Sequence, residues 1–479
     1  MAAQSFDAII IGSGAGGSAA AWQLARAGLS VLLLERGSAL PRDGSTQDPA
    51  VVVAQGAFKS REVWSDGRGG TLVPEEYFNL GGKTKWYGAA LLRFGADEFA
   101  ADPARSHPGW PIGPGVLADY YAEAERLLGA REFACEPDLA RIVASFERRG
   151  WQTQPLPLGL SPEILSDEAE ARHFDGFASV RDFKFDAETA FLRGVRSLPN
   201  LTIRTGADVV ALCGAPGFPR RILGVRLSTG EAFQAPSILL AAGALHSPRL
   251  LQRYLRDGDL AGQLPWAGLV GANLKLHLLT ALIALSPGRK NDLLRKTRLL
   301  LHDRFPRSSV QPLGFDGDFI GTLMPRVLPR FIAQELGARA YGFFLQTEDG
   351  SDVRNRVTDG GIDRQPVLDY DAARSGPALA EHRALTRCLR LDLARAGHLS
   401  FVERIGTTGT AHACGTLVAG ADPARSIVDG NGRVHGLEGL YVVDGSVLPR
   451  SSRVNPSLTI YAWSLRVAEQ IALLQRAAA

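Results

Sequence analysis

The sequence predicts an α/β fold with two domains, one built on a parallel sheet and the other an α+β domain with an antiparallel sheet. A run of β-forming residues near the N-terminus, FDAIII, leads through a glycine turn into an Ala-rich helix. Near residue 240 a second buried strand again passes through glycine into a helix, and YGFFLQTEDG has the texture of an antiparallel strand. At 479 residues the chain is too long for one simple core, so two domains are expected.

The composition is that of an ordinary folded protein and excludes several classes of function. Apolar residues make up 45% and charged residues 22% of the chain. The 53 basic and 50 acidic residues form no long single-sign block, which argues against a nucleic-acid-binding surface. Cys135, Cys213, Cys388 and Cys414 are isolated, so we expect no zinc ribbon, no disulfide framework and no metal site.

The apolar runs and the N-terminus predict where the protein is located. MAAQSFDAIII enters a strand within a few residues and leaves no room for a signal peptide. No uninterrupted apolar run approaches the roughly 18 residues of a membrane span. The C-terminal helix comes nearest, but Arg466 and Glu469 interrupt it. We therefore expect a soluble, cytoplasmic protein without a membrane span.

The first strand, turn and helix are typical of a dinucleotide site. Gly12, Gly14 and Gly17 follow the strand in GxGxxG spacing. Gly12 permits the tight turn, Gly14 lets backbone N–H groups approach a pyrophosphate, and Gly17 allows close helix–strand packing. A second strand ends in Glu35, about 20 residues further on, where an acid can bind an adenosine ribose hydroxyl. The glycines alone are weak evidence, but the whole order predicts a bound dinucleotide cofactor.

Residues 79–94, NLGGKTKWYGAALLRF, form the next informative stretch. Gly81 and Gly82 allow close approach of the backbone to a ligand, although an ordinary glycine turn is the alternative. An amphipathic helix is predicted from about 114 to 128. From about 131 to 197 the pattern weakens to short helices and scattered prolines without regular strand alternation.

The middle of the chain returns to strands and then to a long irregular region. His246 follows the glycine of the second strand–helix unit, and we expect it to be a surface or cap residue rather than a catalytic one. Antiparallel strands and a clear amphipathic helix then precede re-entry into the first domain. We predict a cofactor domain of residues 1–130, 198–278 and 405–479 and a substrate domain of residues 131–197 and 279–404.

The block from His412 to Asn455 carries the candidate chemistry, since it offers an imidazole, then the strand GLYVVDGS, then a carboxamide. Asn455 precedes Pro456, which suits the first turn of a helix whose positive end would face the cofactor. Asp444 and Gly445 end the strand, where small residues would let backbone amides contact the cofactor. The alternative for His412 is a structural histidine satisfied by backbone.

These stretches together resemble the glucose-methanol-choline (GMC) oxidoreductase family over nearly the whole chain. The glycine turn is followed in order by LGGKTKWYGAA, GWPI, AAGALHSPRLL, VGANLKLH and NRV, and the C-terminal block matches from H-x-x-G-T to NPSLTI. The resemblance implies a Rossmann-like FAD-binding domain assembled from discontinuous segments, and a substrate domain built on an antiparallel sheet.

The resemblance also implies roles for individual residues. His412 matches the active-site histidine of the family, and Asn455 matches a second position that is histidine in some members and asparagine in others. Some members bind FAD covalently through a histidine after the paired glycines. Residues 81–86 read GGKTKW and contain none, so we predict noncovalent FAD.

The implied activity is oxidation of an alcohol, which removes the hydroxyl proton and a hydride from the same carbon. It needs a base within hydrogen-bond reach and a donor where negative charge grows. A neutral His412 can take the proton, and the amide of Asn455 can hold the oxygen. The hydride goes to the flavin.

The sequence leaves the partners of this reaction open. We expect a small-molecule alcohol, with a sugar, glycoside or polyol favoured over an aromatic or alicyclic alcohol, and choline less expected than either. The electron acceptor (dioxygen, a quinone or a protein) is undetermined. A lyase of the same fold that performs cyanohydrin-type cleavage and a binding protein with an inert flavin are the alternatives.

Overall fold

A computed structural model describes residues 4–322, 329–361 and 364–478. Its helices, in chain order, are α1 (Ala15–Arg26), α2 (Ala118–Leu127), α3 (Pro137–Glu147), α4 (Glu168–Arg172), α5 (Gly243–Asp257), α6 (Gly317–Thr322), α7 (Arg330–Ala338), α8 (Gly376–Arg395) and α9 (Ser457–Ala478). Among the residues of these ranges, no helix is both long enough and apolar enough to cross a membrane.

The strands have two to ten residues and come from all parts of the chain. In chain order they are β1 (Gln4–Ser5), β2 (Ala8–Ile11), β3 (Val31–Leu34), β4 (Trp64–Ser65), β5 (Thr71–Leu72), β6 (Ala130–Arg131), β7 (Gln152–Pro155), β8 (Leu158–Gly159), β9 (Leu201–Arg204), β10 (Val209–Ala215), β11 (Phe218–Leu227), β12 (Ala232–Gln234), β13 (Ser237–Leu240), β14 (Leu278–Leu285), β15 (Arg298–Leu301), β16 (Ser308–Pro312), β17 (Ala340–Thr347), β18 (Arg356–Thr358), β19 (Val367–Asp369), β20 (Leu399–Ile405) and β21 (Leu440–Val442).

The predicted parallel sheet is present and has five strands in the order β21-β13-β2-β3-β9. Strands β2, β3 and β13 are buried along their whole length. This burial explains their continuous apolar sequences, because helices cover both faces of such a sheet. Its five strands come from three separated segments of the chain, as predicted.

Helix α1 packs unusually close to the sheet because two glycines remove side chains at the contact. A Cβ on Gly17 would lie 1.8 Å from the carbonyl oxygen of Gly12, and one on Gly16 would lie 1.9 Å from that of Val443. Gly12 has a φ of +103°, which glycine adopts without strain. The glycine turn is therefore held against the ends of both β2 and β21.

The second large sheet is antiparallel, with six strands in the order β20-β14-β17-β16-β15-β7. Alternation along β17 separates its two faces. Phe343 and Leu345 pack in a core with Leu385 and Leu389 of α8, whereas Phe344 points to the other side and lines a cavity. This sheet therefore forms a wall of that cavity.

Two four-stranded sheets, in the orders β1-β12-β11-β10 and β18-β19-β4-β5, and a two-stranded sheet of β6 and β8 are also present. The second four-stranded sheet joins separated parts of the chain. In the second, β19 pairs with β4 through Val367 and Ser65. This sheet joins a strand pair from residues 1–130 to one from residues 279–404, so the two predicted domains share a sheet. The predicted domain boundaries remain a prediction.

Candidate active site

A cavity of about 740 Å³ lies between the parallel and antiparallel sheets. Its floor is formed by residues that follow β2, β3 and β13, at the carboxyl ends of the parallel strands. Its opposite wall includes Ala281 of β14, Gln311 of β16 and Phe344 of β17. Open α/β sheets bind ligands at the carboxyl ends of their strands, and the volume is in the usual range for a ligand site.

The two glycine turns meet at the floor of the cavity. A Cβ built on Gly14 would meet no atom within 4 Å, so the space in front of the turn is open. Gly82, at a φ of +57°, approaches so closely that its Cβ would lie 3.1 Å from the Cα of Gly14. The N–H of Gly81 donates to Ser13 Oγ at 3.0 Å. The predicted turns thus form one backbone surface that a flat or extended ligand can approach.

Glu35 lines the cavity and ties the end of β3 to the glycine turn. Its Oε2 accepts hydrogen bonds from the N–H and the hydroxyl of Ser13, at 3.0 and 2.6 Å. Its Oε1 accepts from the N–H of Gly37 at 2.9 Å. Burial raises the pKa of this carboxyl, and the hydrogen bonds from Ser13 and Gly37 oppose that shift.

Asp444, just after β21, likewise accepts hydrogen bonds from backbone N–H groups of neighbouring turns. Its Oδ2 accepts from the N–H of Gly243 at 2.8 Å, and its Oδ1 accepts from the N–H of Ser446 at 2.9 Å. Burial raises the pKa of the Asp444 carboxyl. Gly445 follows, where a Cβ would lie 3.1 Å from a methyl group of Ile460 in α9. The strand end and the start of α9 are thereby packed together beside the cavity.

His412 and Asn455 lie side by side in the cavity wall, with 3.4 Å between His412 Nε2 and Asn455 Nδ2. The loop that carries His412 is held by backbone pairing of Cys414 with Lys275, just ahead of β14. Asn455 stands directly before Pro456 and α9. The fold therefore brings together two candidate catalytic residues, of which one precedes β21 in the chain and the other follows it.

The environment of His412 keeps its imidazole neutral. Burial lowers its pKa well below the ordinary value, and the nearby His277, Lys296 and Lys83 lower it further. His412 Nδ1 has no hydrogen-bond partner among the described residues. A neutral imidazole at pH 7 has a lone pair with which to accept a proton.

Sequence reasoning missed two residues that contact this pair. Gln311 Nε2 donates to Asn455 Oδ1 at 2.6 Å. His277 packs against His412, and its Nε2 donates to the carbonyl of Ser452 at 2.7 Å. The only available signal was a polar side chain in the buried strand SSVQP and a histidine at the end of VGANLKLH.

Two cations in the cavity wall, the buried Lys296 and the half-buried Lys83, were also missed. Lys296 Nζ lies 2.8 Å from Asp175 Oδ2, and Lys83 Nζ lies 2.5 Å from Glu76 Oε1. Both ion pairs are satisfied without a ligand. No group of three potential metal-binding side chains occurs within the described ranges.

His246 was expected to be a surface or cap residue, and the surface position is wrong. It falls in the first turn of α5, where its ring packs edge-on against Trp64 and Phe78. Its side chain is 14% exposed, and it lines the cavity. The helix starts at Gly243, and its first turn points His246 inward toward these aromatic rings.

Comparison with known proteins identifies the chain. The model of the family described as FAD dependent oxidoreductase matches residues 7–280, and the model described as GMC oxidoreductase matches residues 385–464. A 6'''-hydroxyparomomycin C oxidase of Streptomyces lividus is 30% identical, over 98% of this chain and 91% of that protein. The chain belongs to the GMC oxidoreductase family.

Two further proteins that resemble this GMC oxidoreductase support the same family and fold. Paromamine 6'-oxidase of Streptomyces fradiae is 28% identical, over 98% of this chain and 91% of that protein. Pyridoxine 4-oxidase from Mesorbium loti has the same fold, with a TM-score of 0.71, 20% identity and coverage of 97% and 98% of the two chains. The protein is an FAD-dependent oxidoreductase that acts on CH–OH groups, as predicted. The open space before Gly14 and the paired glycine turns fit a dinucleotide of this kind.

Proposed function

We propose that the protein oxidises an alcohol group of a sugar, glycoside or polyol to a carbonyl, with His412 as the base and Asn455 as the hydrogen-bond donor. The observation that carries this proposal is the 3.4 Å approach of His412 Nε2 and Asn455 Nδ2 in the cavity that also contains the glycine turn. Bound FAD supplies the hydride acceptor. Neutral His412 takes the hydroxyl proton, and the Asn455 amide donates to the oxygen as its negative charge grows.

The residues that would hold FAD lie at the carboxyl ends of β2, β3 and β21, in the turn at Gly82, and at the starts of α1 and α9. All but one of them line the cavity, and the remaining one, Gly17, shapes it through packing. They are Gly12, Gly14, Gly17, Glu35, Gly82, Asp444, Gly445 and Pro456. Gly17 acts through packing alone. Glu35 would bind a ribose hydroxyl with the lone pairs that Ser13 and Gly37 leave free.

The substrate class is supported by the cavity wall near His412. Gln311 and the Lys296–Asp175 pair present polar groups, while Phe344 and Ile405 present apolar surface. A sugar ring has both hydroxyl edges and apolar faces, and mixed walls of this kind suit it. Two relatives are named as oxidases of aminoglycosides, paromamine and 6'''-hydroxyparomomycin C, which agrees with this choice.

We also propose that FAD is bound noncovalently and that the domains follow the predicted boundaries, 1–130, 198–278 and 405–479 against 131–197 and 279–404. No histidine occurs in residues 81–86, and Lys83 is engaged with Glu76 and the carbonyl of Thr410. Flavin that stays with acid-precipitated protein would contradict noncovalent binding.

The cytoplasmic location is kept as a prediction.

Anaerobic mixing tests the proposed reaction. Purified holoprotein is mixed without oxygen with paromamine, methyl glucoside, benzyl alcohol, choline and a cyanohydrin. We expect paromamine or methyl glucoside to bleach the visible flavin absorbance fastest. Fastest bleaching by benzyl alcohol would replace the substrate class with aromatic alcohols. Cleavage of the cyanohydrin without bleaching by any alcohol would overturn the oxidation itself.

A further inference from the structure

The segment that carries Asn455 is held by the antiparallel sheet, although it belongs to the predicted FAD-binding domain. Ser309 Oγ and Gln346 Nε2 both donate to the carbonyl of Arg453, at 2.6 and 2.7 Å. Ser309 and Gln346 are paired directly across β16 and β17. Gln311 lies two residues beyond Ser309 and therefore on the same face of β16. One face of this sheet thus anchors the backbone just before Asn455.

Gln311 adds a contact of a different kind, because it touches the side chain of Asn455. Gln311 is 1% exposed, and its Nε2 donates to Asn455 Oδ1 at 2.6 Å. The two ends of a carboxamide have nearly the same shape, so packing does not decide which end faces His412. The neighbouring His412 Nε2 does not decide it either, because an imidazole nitrogen donates or accepts according to its tautomer.

We propose that Gln311 is a positioning residue: with its Nε2 directed at Asn455 Oδ1, it holds the Asn455 amide so that Nδ2 faces His412 and the reacting oxygen of the substrate. This inference rests on the proposed roles of His412 and Asn455. The opposite orientation would turn a carbonyl oxygen toward the growing negative charge. It would also require a proton on His412 Nε2, which would then have no lone pair for the substrate proton.

The decisive variant is Gln311→Glu, assayed with paromamine, or with benzyl alcohol if paromamine is not oxidised. The introduced side chain only accepts hydrogen bonds when it is ionised, so it would draw Asn455 Nδ2 toward itself and turn the amide. When it is protonated, the same carboxyl group donates to Oδ1 and restores the native orientation. We expect the kcat of the variant relative to wild type to fall by about 10²–10³-fold from acid to alkaline pH, the usual loss for one such donor.

Other titratable groups near this end of the cavity are His412 and His277, Lys296 with its partner Asp175, and Lys83 with its partner Glu76. These groups are present in both the wild type and the Gln311→Glu variant. Taking the ratio of the two kcat values therefore reduces their direct contribution to the pH dependence. The charge of the introduced carboxylate could also act on the substrate oxygen without turning the amide. The same substitution is therefore made in an Asn455→Ala background, where we expect the ratio to lose its pH dependence.

Two neutral variants serve as matched controls. Gln311→Met removes the hydrogen bond and leaves the amide free to turn, so we expect about a tenfold lower kcat at all pH values. Gln346→Met removes an anchor of the same segment on the adjacent strand, and we expect no pH-dependent ratio. Neutron diffraction of the holoenzyme reads the orientation directly, with deuterium expected on the atom of Asn455 that faces His412.

The outcomes separate the two proposals. A flat kcat ratio for Gln311→Glu, or the same pH dependence in the Asn455→Ala background, would overturn the positioning role. Deuterium on the Asn455 atom that faces Gln311 would do so as well. Wild-type turnover by Asn455→Ala itself would instead reject the proposed function.

Discussion

His277 packs edge-on against His412, with 4.9 Å between ring centroids and 76° between the ring planes. His277 is buried, and its backbone has a φ of +53°. Burial lowers its pKa to about 4, so it remains neutral at physiological pH. It contributes, after burial itself, to the lowering of the His412 pKa. A neutral ring therefore packs against the imidazole of the proposed base.

The lowered pKa of His412 predicts the pH profile of the reaction. The base form should persist well below pH 6.5, the ordinary pKa of histidine, and be lost only as the pH falls through the lowered value. We expect kcat/KM to stay flat between about pH 6 and pH 8. A loss of activity centred near pH 6.5, measured by steady-state assay, would show that His412 titrates normally or is not the base.

The proposed roles of His412 and Asn455 predict how single substitutions act. We expect His412→Ala to lower alcohol turnover by about 10²–10⁴-fold while FAD stays bound, because a positioned base is lost. Flavin content is read from the visible spectrum and turnover from the anaerobic assay. His398→Ala is the control, since His398 does not line the cavity. Near-normal turnover in His412→Ala would refute the assignment.

The open space before the glycine turn predicts a clean loss of cofactor. A side chain at Gly14 meets no protein atom within 4 Å of its Cβ, so Gly14→Val should fold but fill the site of the pyrophosphate. We expect a folded apoprotein, measured by circular dichroism and by the ratio of flavin to protein. Gly262 also has open space at its Cβ but lies outside the cavity lining, so Gly262→Val should keep its flavin. A full flavin complement in Gly14→Val would mean that the turn does not hold FAD.

Buried neutral histidines predict that stability falls in acid. The pKa values of His277 and His382 are each lowered to about 4 by burial, whereas unfolded histidine titrates near 6.5. Between these values the unfolded chain binds more protons, so the free energy of unfolding should fall as the pH drops from about 6.5 to 4. The loss is roughly 3 kcal/mol for each residue.

Denaturant titration at several pH values measures this effect. His382 bonds to Thr280 and Thr347 and does not line the cavity, so it can be replaced without touching the proposed site. We expect His382→Gln to lose stability at neutral pH but to show a shallower decline in acid. An unchanged decline would assign the acid sensitivity to other groups.

Local features could be predicted because short stretches of chain determine them. A βαβ unit of about 30 residues contains the continuous apolar strand, the spaced glycines and the following helix, so all three can be read from one short stretch. His412 and Asn455 were found for a different reason, since the family's ordered motifs marked them. The position of Glu35 at the end of β3 could be predicted from the sequence, but its hydrogen bonds with Ser13 could not.

The sequence by itself determined the parallel sheet, the glycine turns and the two candidate residues of the active site. Only the tertiary structure decided that Gln311, His277 and Lys296 lie near them. Each sits in or beside the antiparallel sheet, where a shift of one residue in register would turn a side chain to the opposite face. Register depends on pairings between distant strands, and no local pattern in those strands specifies it.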